Sequence, residues 1–427
     1  MTLIGGGNKT WGTRAQIGAT MDALKDVRGN NDGIHGNEGA PAGKVPDRLR
    51  DRFDRQPLAH TAQAALSVGV STKDEIAALS SFVSDREAEW GKPVLDDGVR
   101  TKLKNPDLYA AQKAIALTRL GLTPDDVVDR FVTAKGSVDG HAIAPREIFT
   151  SEHRPKGPPS GVVVVVSPGF QETGRSFESQ IAEMTKRGHT VVVMDHQWAG
   201  QSEGQAGGVD RGFGVARDVA AVAAHAAERA QALFGDQGRV ALFGNSMGAG
   251  PGVLGALAMN DHGRIALEGP QMPKGLPAVL QAPYLGIAPS ALNQTLEFAA
   301  KLPFLNKIRA PSAGVPDLTD DPTAEAKAAQ GAAMEDVRAQ LSTFETTKPD
   351  LATLVGRIES GQGPSGRIAI VHGEGDMLAD FSASERVARA LGDRATLTRL
   401  STTNHVLQES PSELGAALTA LDALLAD

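Results

Sequence analysis

Three regimes of hydrophobic and polar patterning divide the chain. Residues 1 to about 48 are polar and glycine-rich, with no sustained apolar period, and read as a flexible arm. From about 49 to 136 the apolar positions recur at helical spacing. Ile76, Leu79, Phe82 and Val83 follow Ser71-Thr72, where Thr72 and Glu75 form a capping box. Tyr109, Ala110, Ile115, Leu117 and Leu120 mark a second helix, and Thr123-Pro124-Asp125-Asp126 carries the proline-first signal of a third. From about 137 to 427 short apolar runs alternate with amphipathic stretches. The pattern predicts strands at 161–166, 189–194, 239–245, 278–283, 367–372 and 395–400, with helices at 176–187, 215–234 and 381–391. Such alternation implies a mainly parallel central sheet with helices on both faces. Residues 286 to about 363 interrupt it with helix-like, proline-punctuated sequence, the expected place for an inserted lid.

Composition narrows the class. At 427 residues the chain exceeds one ordinary domain, and 41% hydrophobic with 22% charged residues describes a soluble globular protein. A net charge of -8 with no Lys/Arg tract argues against a nucleic-acid partner. The absence of cysteine removes disulfides, thiolate catalysis and cysteine metal sites. The longest purely apolar run, 162–166, is far short of a transmembrane segment, and the N-terminus lacks a basic region followed by an apolar core. The expected location is cytoplasmic, or exported without a classical signal peptide. The Asn/Asp/Gly segment at 30–39 lacks the ligand spacing of a calcium loop and reads as linker.

The chemistry concentrates at Gly244-Asn245-Ser246-Met247-Gly248, a G-x-S-x-G elbow with an apolar strand before it and small residues after it. A serine on such a turn needs a base to take its proton, an acid to orient that base, and donors for the oxyanion. In this architecture the order along the chain is serine, acid, histidine. The strand at 367–372 is followed by Asp376, and the last strand by His405, the only histidine after that acid. Asp380 is an alternative acid, although it also stands where it would cap the helix at 381–391. His372 is an alternative base, but it lies on the strand before the acid. His189 and His196 sit at strand ends and read as structural. The oxyanion hole is expected from the backbone N–H of Phe170, after Ser167-Pro168-Gly169, and from that of Met247. This set requires no metal and no cofactor. Activity is expected to fall as His405 protonates, at roughly pH 6 to 7 for an unperturbed histidine.

Four stretches carry a family resemblance: Ser167-Pro168-Gly169-Phe170-Gln171-Glu172, the segment 195–204, the elbow, and Gly373-x-x-Asp376-x-Leu378-x-Asp380 together with Asn404-His405-Val406-Leu407. In them the region 137–427 resembles the monoglyceride lipase and lysophospholipase branch of the α/β-hydrolases, which also includes serine aminopeptidases. The resemblance implies an α/β-hydrolase fold with a lid, preceded here by a small helical N-terminal region. It implies a serine carboxylester hydrolase acting on lipid-like or small acyl esters. Three positions depart from the family pattern: Ser167-Pro168 replace its histidine, Asn245 replaces the elbow histidine, and Trp198-Ala199 replace a glycine. Leu292, Leu296, Phe298, Leu302, Phe304, Leu305 and Ile308 form an apolar stripe suited to an acyl-chain pocket, to peripheral membrane contact, or to ordinary packing. Two other readings stand beside the esterase: an aminopeptidase or amidase of the same fold, and a docking protein that uses residues 49–136 for a protein partner.

Overall fold

The computed structural model describes residues 73–104, 106–170, 172–197, 199–204, 212–288, 342–376, 378–402, 405 and 411–426. The chain divides into two compact units, Met1–Asp125 and Asp126–Asp427.

The first unit contains α1 (Lys73–Trp90), the short α2 (Asp97–Arg100) and α3 (Pro106–Leu120). Asp96 caps α2 by accepting the Gly98 N–H at 2.8 Å. Val83 of α1 and Tyr109, Ala110, Ile115 and Leu117 of α3 are buried, as their helical spacing requires. The capping residues Ser71 and Thr72 lie outside the described residues. Thr123-Pro124-Asp125-Asp126 does not start a helix. It is a turn that delivers the chain into a strand: Val127, Val128, Phe131 and Val132 keep a helical spacing, but as β-branched and aromatic residues they pair in the sheet instead.

The second unit is built on one nine-stranded sheet, ordered β6-β1-β2-β4-β3-β5-β7-β8-β9. The strands are β1 (Val127–Val138), β2 (His141–His153), β3 (Val162–Ser167), β4 (Thr190–Met194), β5 (Arg239–Asn245), β6 (Ile265–Leu267), β7 (Ala278–Gln281), β8 (Ile368–Gly373) and β9 (Ala395–Leu400). From β4 through β9 all neighbours pair in parallel, whereas β1, β2 and β6 form an antiparallel flank. Residues 127–136, assigned to the helical region by pattern, are therefore strand. Asp139 and Gly140 join β1 to β2 with φ of 51° and 74°, the left-handed pair that a two-residue hairpin turn demands.

Helices cover both faces, so β3 is a run of valines buried at every position rather than an alternating strand. On one face α5 (Gly212–Phe234), α6 (Gly255–Asp261), α7 (Ser342–Glu359) and α8 (Phe381–Leu391) enclose Val163, Val165, Leu242, Leu280 and Ile370. On the other, α4 (Glu178–Lys186) and α9 (Pro411–Leu425) enclose Val164, Phe243, Val279 and Val371.

The expected lid interval is only partly covered. Residues 289–341, with the whole apolar stripe, lie outside the described residues. The segment 342–359 is not lid: Leu354, Val355 and Ile358 of α7 are buried in the main core. The strand expected at 278–283 ends at Gln281, because Ala282 turns to φ 41° and Pro283 follows.

Gly356 sits inside α7 with open space where a Cβ would stand. Gly356→Ala is expected to raise stability by about 0.5–1 kcal/mol by lowering the entropy of the unfolded chain. A thermal or urea melt checks this, and a lowered midpoint would contradict it.

Candidate active site

The site lies at the carboxyl edge of the parallel strands, where ligands of open α/β sheets bind. In-register pairs bring the ends of β3, β5, β7, β8 and β9 to this edge: Ser167 with Gly244, Asn245 with Gln281, Gln281 with Val371, and Gly373 with Leu400. Directly after β5, Ser246 takes φ 50°, a backbone conformation that non-glycine residues rarely hold and that surrounding structure must enforce. The flanking glycines show how. A Cβ at Gly244 would overlap the backbone of Gly248 and Ala249, and one at Gly248 would overlap the carbonyls of Ser167 and Pro168. The Ser246 carbonyl accepts the Tyr284 N–H at 2.9 Å, which ties the turn to the chain leaving β7. A π-helical turn, Gly248–Leu254, then leads into α6.

The structure brings Ser246, His405 and Asp376 together. His405 Nε2 lies 2.8 Å from Ser246 Oγ, and His405 Nδ1 lies 2.7 Å from Asp376 Oδ2. A carboxylate only accepts, so Nδ1 carries the proton and the Nε2 lone pair faces the serine hydroxyl. Burial opposes the charged form of His405, but the Asp376 charge and hydrogen bond, with the Glu172 charge, leave its pKa above the ordinary 6.5. Burial likewise opposes the Asp376 charge. The His405 charge and the hydrogen bonds from His372 and His405 outweigh it and hold this carboxyl well below the usual carboxylate range.

Asp376 is fixed on every side. Its Oδ1 accepts the N–H groups of Leu378 and Ala379 at 2.8 and 2.9 Å. Its Oδ2 accepts from His405 and also from His372 Nε2, 3.1 Å away. The alternatives weighed on sequence therefore separate in space. Asp380 caps α8, accepting Ser382 N–H at 3.0 Å and Ser382 Oγ–H at 2.7 Å. His372 reaches the acid, not the serine.

Opposite the histidine, the turn after β3 is clamped at both ends of one peptide. The Gly169 N–H donates to Glu172 Oε2 at 2.5 Å, and Asn245 Nδ2 donates to the same oxygen at 3.0 Å. The Pro168 carbonyl accepts from His196 Nε2 at 2.7 Å. Burial pushes the His196 pKa down to about 4, against the pull of that carbonyl, so the ring is neutral and holds one proton for this bond. Phe170 follows Gly169 in this turn. Met247, 3% exposed, caps the start of the π-helical turn. The sequence reading missed the Glu172–Asn245 and His196–Pro168 contacts; its one available signal was that both fall beside the departures from the family pattern.

Among the described residues no group of three or more His, Asp or Glu side chains is arranged to hold a metal ion, and no helix is long and apolar enough to cross a membrane.

Residues 157–410 match the family model described as serine aminopeptidase, S33. A solved structure of a soluble variant of monoglyceride lipase from Saccharomyces cerevisiae, in complex with a substrate analog, aligns with TM-score 0.50 and 16% identity over 68% of this chain and 95% of that one. Monoacylglycerol lipase from Paleococcus ferrophilus aligns with TM-score 0.48 and 16% identity over 66% of this chain and 99% of that one. The enol-lactonase from Burkholderia xenovorans aligns with TM-score 0.46 and 17% identity over 69% of this chain and all of that one, 100%. No curated protein matches the sequence. At such identity the likeness to the yeast structure is one of fold.

Proposed function

The chain belongs to the serine aminopeptidase S33 family of α/β-hydrolases, and from that membership and the geometry around Ser246 we propose that it cleaves carboxylic esters of lipid-like or small acyl substrates through an acyl-enzyme. The observation that carries this reading is the unbroken hydrogen-bonded line from Ser246 Oγ through His405 to Asp376, at 2.8 and 2.7 Å, on a serine held at φ 50°.

Ser246 Oγ attacks the ester carbonyl as its proton passes to His405 Nε2. The carbonyl π electrons move to oxygen, and the N–H groups of Phe170 and Met247 bind the oxyanion. When the carbonyl re-forms, the bond to the leaving oxygen breaks, and His405 gives its proton to the departing alcohol. Water then loses a proton to His405 as it attacks the acyl-enzyme. Collapse of this second intermediate releases the carboxylic acid and returns the proton to Ser246 Oγ. Throughout, Asp376 stabilises the imidazolium and holds the tautomer. The Glu172 and His196 clamps orient the Pro168–Gly169 peptide so that the following N–H points at the reacting carbonyl.

The family description favours a second reading, amide or peptide hydrolysis with the same serine. The acidic residues Asp317, Asp320, Asp321 and Glu325, suited to a substrate ammonium group, lie outside the described residues. Hydrolysis of p-nitrophenyl esters of increasing chain length, run beside aminoacyl p-nitroanilides, tests the two. The esterase reading requires a kcat/KM for the best ester at least about tenfold above that for any anilide. An anilide optimum would replace it with the aminopeptidase reading.

The pH profile follows from the direction of the His405 shift. The base works neutral, and its folded pKa lies above 6.5. The acidic limb of kcat/KM is therefore expected above pH 6.5, higher than an unperturbed histidine would give. A limb at or below that value would mean that the Asp376 pairing is looser in solution.

A further inference from the structure

The geometry points to His372 as a positioning residue that sets how strongly Asp376 pulls on His405. This inference rests on the acyl-enzyme reading above. His372 is fully buried, and its Nε2 lies 3.1 Å from Asp376 Oδ2, the same oxygen that takes the His405 proton at 2.7 Å. Its Nδ1 lies 2.8 Å from Ser384 Oγ on α8. The carboxylate can only accept, so in the neutral ring the proton is on Nε2. Nδ1 then accepts the Ser384 hydroxyl proton, and Ser384 selects the tautomer. The Phe381 ring packs edge-on against the imidazole at a centroid distance of 5.3 Å and fixes its plane.

An acid that served only to orient His405 would be satisfied by the Leu378 and Ala379 N–H groups on Oδ1. A second imidazole on Oδ2 does something different. It divides the lone-pair density of the oxygen facing His405, and so limits how far the carboxylate stabilises the imidazolium. It also keeps the carboxyl from rotating when His405 gains and loses its proton. A charge-assisted donor of this kind is expected to change kcat by about tenfold. The other charged groups nearby stay constant in the test. Glu172 bears on His405 from the β3 side. Arg399 of β9 pairs in register with His372, lies over the Phe381 ring at 5.6 Å, and is neutralised by Glu374 and Glu385.

The experiment compares His372→Leu, which removes the donor, His372→Gln, whose amide nitrogen reaches the place of Nε2, and Ser384→Ala, which releases the tautomer. Each is assayed over pH on the best p-nitrophenyl ester, with rates normalised to the fraction of enzyme labelled by a fluorophosphonate. In His372→Leu, kcat is expected to fall about tenfold, KM to stay within about twofold, and the acidic limb to move to higher pH. His372→Gln should recover most of kcat and return the limb towards wild type. Ser384→Ala should shift in the same direction as His372→Leu, by less. A Leu variant with wild-type kcat and limb overturns the proposal. So do Leu and Gln variants equally slow with an unmoved limb, since that pattern reports packing alone. If His372→Leu does not fold, Ser384→Ala decides, and a wild-type limb there overturns the proposal. Absence of labelling at Ser246 in the wild type is a separate outcome, which removes the acyl-enzyme reading itself.

Discussion

Ser246→Ala is expected to lower kcat/KM by about 10⁴- to 10⁶-fold and to abolish fluorophosphonate labelling, with the melting temperature within about 2 °C of wild type. The size follows from what is lost. Among the described residues the hydroxyl that His405 Nε2 meets is that of Ser246, at 2.8 Å, so alanine leaves the base without that partner. The chain has no cysteine that could act as a surrogate nucleophile. Stability is spared because the bond that holds the turn, Tyr284 N–H to the residue 246 carbonyl, is main chain. Retention of more than about 1% of activity in purified mutant would place the chemistry elsewhere and remove the proposal.

Gly248→Ala carries the second-largest effect, and acts on fold and rate together. Its Cβ would overlap the Ser167 and Pro168 carbonyls, which are backbone and cannot rotate aside. Separating the elbow from the turn after β3 is expected to cost about 3 kcal/mol, a fall in melting temperature of about 6–12 °C. Because His196 holds the Pro168 carbonyl, the displaced peptide carries the Phe170 N–H with it, and under the proposed mechanism the loss of that oxyanion donor is expected to lower kcat by about 10²- to 10³-fold. Differential scanning calorimetry and kcat on the surviving folded fraction check both parts. A wild-type melt would mean the two turns are not packed as described. Gly356→Ala, on an open helix surface, is the matched control with the opposite sign.

The parallel half of the fold was legible because both faces of its strands are covered. Unbroken apolar runs such as 162–166 and 240–243 then announce themselves without reference to partners. Ser246 and Asp376 were legible because each follows such a run, and His405 because it follows β9, whose Ala-Thr-Leu-Thr-Arg-Leu alternates as a partly exposed strand does. The antiparallel flank was not. β1 is only partly buried and blends into the polar sequence around it, although Asp139-Gly140 between two runs is a hairpin signal that pattern reading passed over. The lid estimate swallowed α7 because its amphipathic stripe looks the same whether it covers a sheet or a substrate. The supporting contacts around the site were the least legible. Asn245 and Glu172 lie 73 residues apart, and His196 and Pro168 lie 28 apart, so only sheet register brings each pair together. His372 sits four residues before Asp376, close enough to be weighed as a base, but nothing local shows that it faces the acid.

The parallel strand order also separates the site in time. Ser246 and His405 meet across 159 residues, with the acid in between. At a ribosomal rate of about 5–20 residues per second, the serine is synthesised roughly 10–30 s before its histidine. Throughout that interval a nascent chain presents a sheet without an activated hydroxyl, and a chain cut short before β9 remains inert toward any acyl donor around it. Under the proposed mechanism, reactivity therefore arrives only with β9 and the residues that follow it.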